Sequence, residues 1–318
     1  MQDSVKKSMT IVRFVKKNIS VTAFVLIFLL FLILQGFKFL NLSNIQTIFE
    51  QAVVVLIVSF GMTFIIMMGS IDLSVGSTVG LSGVIAASVL ESTNSTVLAI
   101  LSGIAVGAAV GIFNGTIHSK MKIPSFITTL GSMSIVRALC IIYSEGSVIM
   151  IPFDSAFKQM GVTPWIIIIG VVFYVIALIL QKLTVFGRYI KMIGGDENVA
   201  IMSGIKVTKY KIINYVLCGV LAGIGGLVLA ARIGSGAPSS GKDFEMDCIS
   251  SVVLGGTAMT GGVGSINGTI IGALTLAMLA NGLVLLGIPT EVQMLVKGFV
   301  LILAVFISLE RDKIGIIK

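Results

Sequence analysis

The sequence predicts an all-α membrane protein of about ten transmembrane helices, the second to fifth repeated with inverted direction as the seventh to tenth. Three observations predict it. Hydrophobic residues make up 56% of the 318 and charged residues only 11%, against about 25% charged in a soluble domain. Apolar runs near the roughly 20 residues a membrane helix needs follow one another with short polar breaks. Glycine recurs at every fourth residue in two of these runs, which hold matching places in the two halves. Ten spans take roughly 200 residues and leave no room for a separate soluble domain. Residues 1–318 therefore read as one transmembrane domain.

In order, the spans cover about 19–40, 51–69, 73–90, 97–117, 124–143, 164–182, 210–231, 248–262, 266–287 and 291–309. The first follows a basic segment, 1–18, that imitates a secretory signal. No small-x-small cleavage site follows it and many apolar runs do, so it reads as a retained span. Basic residues accumulate on the cytoplasmic side of a membrane. With the N-terminus inside, the inner pieces hold 16 of the 22 basic residues, among them Lys6, Lys7, Arg13, Lys120, Arg188, Lys206 and Arg311. The outer turns collect Glu50, Glu91, Glu145, Asp154, Asp243, Glu245, Asp247 and Glu291. Both termini then lie in the cytoplasm. The net charge of +8 expresses this topology and does not point to nucleic acid.

The fourth span carries Gly103, Gly107, Gly111 and Gly115, and the ninth Gly264, Gly268 and Gly272. A small residue at every fourth position forms a groove for another helix backbone. Glycine is also common in membrane helices generally, so either stripe alone says little. Together they sit third in two blocks that start from opposite faces, the pattern of an inverted repeat. The turn 69–77 would match the turn 234–241 on the opposite face. The eighth span is short and interrupted by Gly255-Gly256 and Gly261-Gly262, and reads as a half-crossing or broken helix beside a cavity.

The longest charged interruption is 187–211. Within it, 195–204 reads as one short helix: Asp196 can cap it, Glu197 suits the positive end of its dipole, and Gly204 can end it in the left-handed conformation. Seven or eight residues make a rod of roughly 10–12 Å, too short to be stable undocked. Its plainer reading is a loop turn on the membrane surface.

Catalytic chemistry finds no footing. No phosphate-binding GxxxxGK[ST] loop occurs, no Ser/His/Asp set can be placed, and the lone His118 stands at a span end without a metal-ligand neighbour. Cys140, Cys218 and Cys248 are far apart and odd in number, and read as small buried apolar residues. No cofactor is expected. Charges inside spans are more informative, because an Arg at a helix centre costs about 2.5–3.5 kcal/mol on insertion scales. Arg137 and Lys297 should face the bundle interior, with an internal ion pair or snorkelling as the plainer alternatives. Asp72, beside two serines at the inner end of the second span, is the one carboxylate approaching membrane depth. That is little for an ion-driven secondary carrier.

Several runs resemble the ribose-type sugar permeases of ABC importers: GMTFI (61–65) through GSIDLSVGS (69–77), IPSFITTLG (123–131), FGRY (186–189) with GGDE (194–197), Ala200 and SGI (203–205), then VLGGT (253–257) and TGGVGS (260–265). The similarity covers about 45–305 in one order. It implies a type II-like permease of about ten spans, working as a homo- or heterodimer in the bacterial inner membrane. The loop 183–209 would be its coupling loop, with Gly195, Asp196, Glu197, Asn198, Ala200, Ser203 and Gly204 forming the helix gripped by a cytoplasmic ATPase. An extracytoplasmic sugar-binding protein would dock outside. The family usually has Asn where Asp196 stands and Ala where Val199 stands, and often Arg where Ile201 stands. Autoinducer importers are close relatives and branched-chain amino-acid permeases more distant ones. The latter lack the IDLSVG run. On this reading Asp72, Ser74, Asn114, Arg137 and Asn281 are the candidates for pathway or gate positions, and the glycine stripes pack helices.

Overall fold

The computed structural model describes residues 19–308. The expected cytoplasmic N-terminus 1–18 and the basic C-terminus lie outside the described residues. The chain is helical almost throughout, because in hydrocarbon each backbone N–H and C=O must find its partner within the segment. Its helices are α1 (Ile19–Gln35), α2 (Leu42–Met67), α3 (Val75–Thr93), α4 (Thr96–Lys120), α5 (Ser125–Ser144), α6 (Ala156–Gln159), α7 (Trp165–Lys182), α8 (Val185–Gly195), α9 (Glu197–Met202), α10 (Val207–Ile233), α11 (Phe244–Leu254), α12 (Ile266–Leu285) and α13 (Thr290–Ser308). Among the described residues eight are long and apolar enough to cross a membrane: α1 with the 3-10 turn after it, α2, α3, α4, α5, α7, α10 and α12. The places of the eighth and tenth spans are held by α11 and α13. With 11 residues, α11 is about 16 Å long, half of a bilayer's hydrocarbon core.

Helix ends follow from local side chains. The side chain of Asn41 accepts from the Ser43 amide and starts α2, Ser95 starts α4 through the Leu98 amide, and Ser265 starts α12 through the Gly268 amide. At the far ends, Asn94 closes α3 and Gly234 closes α10 in the left-handed conformation. Two spans depart most from the sequence expectation. The second span begins nine residues earlier, at Leu42, so Glu50 lies within α2 and not in an outer turn. There its carboxylate accepts from the Thr163 hydroxyl at 2.7 Å and lies 4.0 Å from Arg232. The eighth span is shifted toward the N-terminus and ends at Leu254, where Gly255-Gly256 turns the chain. A small antiparallel ribbon, β1 (Ile149–Met150) with β2 (Ser235–Gly236), joins the turns after α5 and α10.

The inverted repeat is visible in the packing. Gly103, Gly107, Gly111 and Gly115 of α4 lie against Leu227, Gly219, Tyr215 and Ile212 of α10, so the two helices run antiparallel. Pairs such as Gly61–Cys218 and Gly225–Val58 set α2 antiparallel to α10, and Thr63–Thr269 with Gly264–Met67 set α2 antiparallel to α12. Gly268–Gly255 and Gly272–Ser251 set α12 antiparallel to α11. The block α2–α3–α4 and the block α10–α11–α12 therefore start in opposite directions. Corresponding neighbours recur: α4 meets α10 as α12 meets α2, and α3 meets α5 as α11 meets α13. The core is α2 and α10, with Phe60, Phe64, Met62 and Tyr215 fully buried. Around them α1 and α7 turn most of their apolar surface outward, as lipid-facing helices do.

Turns precede α3 and α11, and both helices begin among buried residues, at Val75 and Glu245. Their first turns meet: the Glu245 carboxylate and the Gly241 carbonyl fill the space that a side chain on Gly76 would occupy. Of the two helices only α11 is short, as Gly255-Gly256 leads one to expect, and the turns 69–77 and 234–241, expected on opposite faces, meet here at Gly76 and Gly241.

Candidate functional site

The charged run 187–211 folds into two short helices, α8 and α9, where one is expected. Thr184 caps α8 through the Gly187 amide. Phe186, Tyr189, Ile190 and Ile193 then form an apolar face packed on the core, with Phe186 edge-on to Phe64 at 5.4 Å and Tyr189 edge-on to Tyr210 at 4.9 Å. Gly195 ends α8 and does not begin the second helix. Asp196 separates the two, its carboxylate accepting from the Asn198 and Val199 amides at 2.8 and 3.1 Å. Six residues form α9. Gly204, at φ +80°, ends it with the Gly204 and Ile205 amides returning to Ile201 and Ala200. Ala200 anchors α9 to the body, Ser203 bonds back to the Val199 carbonyl, and Glu197 pairs with Lys211 at 2.7 Å. The outer face presents Val199, Ile201 and Met202, the last 79% exposed.

Three of the five pathway candidates come together. Asp72 accepts from the Ser74 amide at 2.9 Å and the Ser74 hydroxyl at 2.6 Å, and the Asn114 side-chain amide donates to that hydroxyl at 2.8 Å. All three residues are buried. The Ser74 carbonyl receives the Ser77 and Thr78 hydroxyls, so Asp72 organises the entry into α3. The preceding residue is held by three longer bonds: the Ile71 amide donates to Ser125 at 3.3 Å, and its carbonyl accepts from Thr129 and Tyr215, each at 3.4 Å. His118 is satisfied between Ser70 and the Ile123 carbonyl. The Asn114 carbonyl oxygen is buried without a partner among the described residues.

Arg137 stands apart from this cluster. Its guanidinium donates to the Pro238 and Ser240 carbonyls at 2.8 and 2.9 Å, gripping the turns that lead into α11. Lys297 on α13 holds the same region from another side, pairing with Asp247 in the first turns of α11 at 2.9 Å. Asn281 lies on α12, buried, its carbonyl oxygen without a partner among the described residues. It joins neither group. Replacing Lys297 by Met is expected to destabilise the protein by about 1–3 kcal/mol, because Asp247 is left charged and partly desolvated. Lys297→Met/Asp247→Asn should recover most of that loss. Thermal denaturation of the four proteins of this cycle checks it, and additive losses would refute the pairing.

The sequence reading missed Asp247, the counter-ion of Lys297 fifty positions away, and the carbonyl partners of Arg137, which carry no side-chain signal. It also missed α8, whose apolar spacing at 186, 189, 190 and 193 was available.

The chain matches the family model described as branched-chain amino acid transport system / permease component over residues 44–305. It is 39% identical over 288 residues to the ribose import permease protein RbsC of Escherichia coli (strain K12), covering 86% of this chain and 88% of that protein. The ribose import permease protein RbsC of Bacillus subtilis (strain 168) is 38% identical over 281 residues, 86% and 87% of the two chains. The xylose transport system permease protein XylH of Haemophilus influenzae is 30% identical over 370 residues, 93% and 98% of the two. No solved structure matches the chain. Permeases of this kind work with a separate ATPase subunit and a substrate-binding protein. With eight apolar helices among its described residues and the match over 44–305, the chain belongs to the permease-component family of ABC importers, as a multi-pass inner-membrane transport subunit and not an enzyme.

Proposed function

We propose that the chain is the membrane subunit of an importer for a monosaccharide of the ribose type, with α9 as the element through which ATP hydrolysis by its partner reaches the membrane helices. The observation that carries the coupling reading is α9 itself: a six-residue helix, capped at both ends and docked through Ala200, that leaves Val199, Ile201 and Met202 facing outward. An apolar face at the tip of a charged loop is suited to a groove on another protein. The sugar reading rests on the relatives, named for ribose, arabinose and xylose although the family model is described by amino acids. On this proposal 183–209 is the cytoplasmic coupling loop and both termini are cytoplasmic. A second permease copy or a related chain completes the pathway, and a sugar-binding protein docks outside. Asp72, Ser74 and Asn114 shape that pathway by fixing the start of α3, and Arg137 does so by fixing the approach to α11.

The test is affinity purification of the tagged chain from its own membrane, followed by reconstitution with the proteins that accompany it. An ATPase should co-purify, and labelled pentose should enter only with ATP inside the reaction compartment of that ATPase. Ile201→Asp/Met202→Asp should insert normally and lose most of the ATPase. Burial of one such side chain is worth about 1.5–3 kcal/mol, or roughly ten- to hundredfold in association. Uptake without an ATPase, or competition by leucine and not by pentose, would defeat the proposal.

A further inference from the structure

Three glycine-bearing segments from distant parts of the sequence meet backbone to backbone at the base of α9. The first is the turn that ends α2, where Gly69 takes φ +79°. The second is the end of α8, at Gly194. The third is the turn between α11 and α12, where Gly261 and Gly262 take φ +86° and +75°. The Gly262 amide donates to the Met67 carbonyl at 2.9 Å. A methyl group on Gly194 would overlap that carbonyl and lie 2.7 Å from the Gly262 nitrogen. One on Gly261 would lie 2.6 Å from the Gly194 carbonyl oxygen and 3.0 Å from the Gly69 backbone. Gln181, at the end of α7, straps the same place: its amide donates to the Gly264 carbonyl at 3.0 Å and its oxygen accepts from the Ile266 amide at 3.2 Å.

Side chains between two elements can absorb a shift by changing rotamer. Backbone resting on backbone has no such slack, and moves as a block. The three segments belong to different parts of the fold. Met67 and Gly69 end the first helix of one repeat, Gly261 and Gly262 connect the broken helix of the other to α12, and Gly194 is two residues from the Asp196 cap of α9. Other links from this region to the bundle run through side chains: Ala200, the apolar face of α8, and the Glu197–Lys211 ion pair to α10. Glu197 is half exposed in that pair, so the pair is screened and yields easily.

The geometry points to the junction of Met67–Gly69, Gly194 and Gly261–Gly262 as the transmission that delivers movement of α9 to both repeats at once, with Gln181 as its positioning residue. This rests on the reading of α9 as the helix an ATPase grips. The inference concerns how tightly transport follows hydrolysis, so its readout is sugar moved per ATP consumed and not uptake alone.

The experiment uses the complex of permease, ATPase and binding protein in proteoliposomes, with labelled pentose. Gly194→Ala should retain the ATPase on purification and still hydrolyse ATP, while sugar moved per ATP falls about tenfold, inside the roughly 5- to 150-fold range of coupling between sites. Gln181→Ala should lower the ratio several-fold, and Lys211→Met should leave it near the wild-type value. A Gly194→Ala complex with a wild-type ratio overturns the inference. If that variant does not assemble, Gln181→Ala decides, and an unchanged ratio overturns it. A ratio that falls for Lys211→Met alone would assign transmission to α10 instead. A wild-type permease that purifies without any ATPase would overturn the reading of α9, and the junction's role with it.

Discussion

Replacing Gly107 by valine is expected to abolish accumulation of folded protein, the largest stability loss of any single change proposed. In α4, Gly107 rests on the Gly219 carbonyl and the Gly223 backbone of α10, and Gly219 rests in turn on the Gly107 carbonyl. A side chain on either would occupy space already held by main chain. Overpacking a core that can shift its side chains costs about 1–3 kcal/mol. Here no side chain can give way, so the helices must separate along their length, and the loss should exceed that range. Contacts from Gly103 through Gly115 would open together. The measurement is the monodisperse fraction and melting temperature of detergent-purified protein. Gly298→Val is the comparison: nothing lies within 4 Å of that position, so within one protomer it should be tolerated. Equal behaviour of the two variants would show that close approach of α4 and α10 is not what the stripe provides.

The second large effect is expected at Arg137. Its guanidinium satisfies two main-chain carbonyls, those of Pro238 and Ser240, in the segment that enters the bundle ahead of α11. A hydrogen bond from a charged group contributes about 1.5–3 kcal/mol. Arg137→Met should therefore release the segment and lower uptake at least about tenfold, while ATPase association stays intact. Arg137→Lys is expected to rescue in part, since one nitrogen, Nη1, makes both bonds and an ammonium can donate twice but from a shorter, more flexible stem. Uptake and co-purification measured on the same preparations check this. Normal uptake by Arg137→Met would remove the segment from the transport cycle.

Much of the fold was legible because a bilayer leaves the chain few choices. A run of apolar residues must close its own hydrogen bonds, so helix identity at α4, α5, α7 and α10 follows from composition. Glycine spacing disclosed the inverted order, and Gly255-Gly256 disclosed the short α11. The start of α2 was hidden because Ser43, Asn44, Gln46 and Glu50 read as a polar turn. In the structure Asn41 caps the helix and Gln46 bonds Glu50 one turn on. Both ends of α9 were readable, from Asp196 at its start and Gly204 at its finish, whose conformations follow from residue type. That Gly195 belongs to the preceding helix was not, because two adjacent glycines at 194 and 195 suggest a break and α8 continues through both. Of the pathway candidates, Asp72, Ser74 and Asn114 share one hydrogen-bonded cluster, although Asn114 is forty residues from Ser74. Nothing in the sequence expresses that distance, nor that Arg137 would bond carbonyls and not an acid.

The seam between α4 and α10 also limits how the molecule can move. One of these helices comes from each repeat, and at Gly107, Gly111 and Gly219 they touch main chain to main chain, where no rotamer can rearrange. They behave as a keel shared by both halves. A hinge in which one repeat swings as a shell away from the other would have to split that keel, so the strokes of an import cycle are confined to the ribs attached to it.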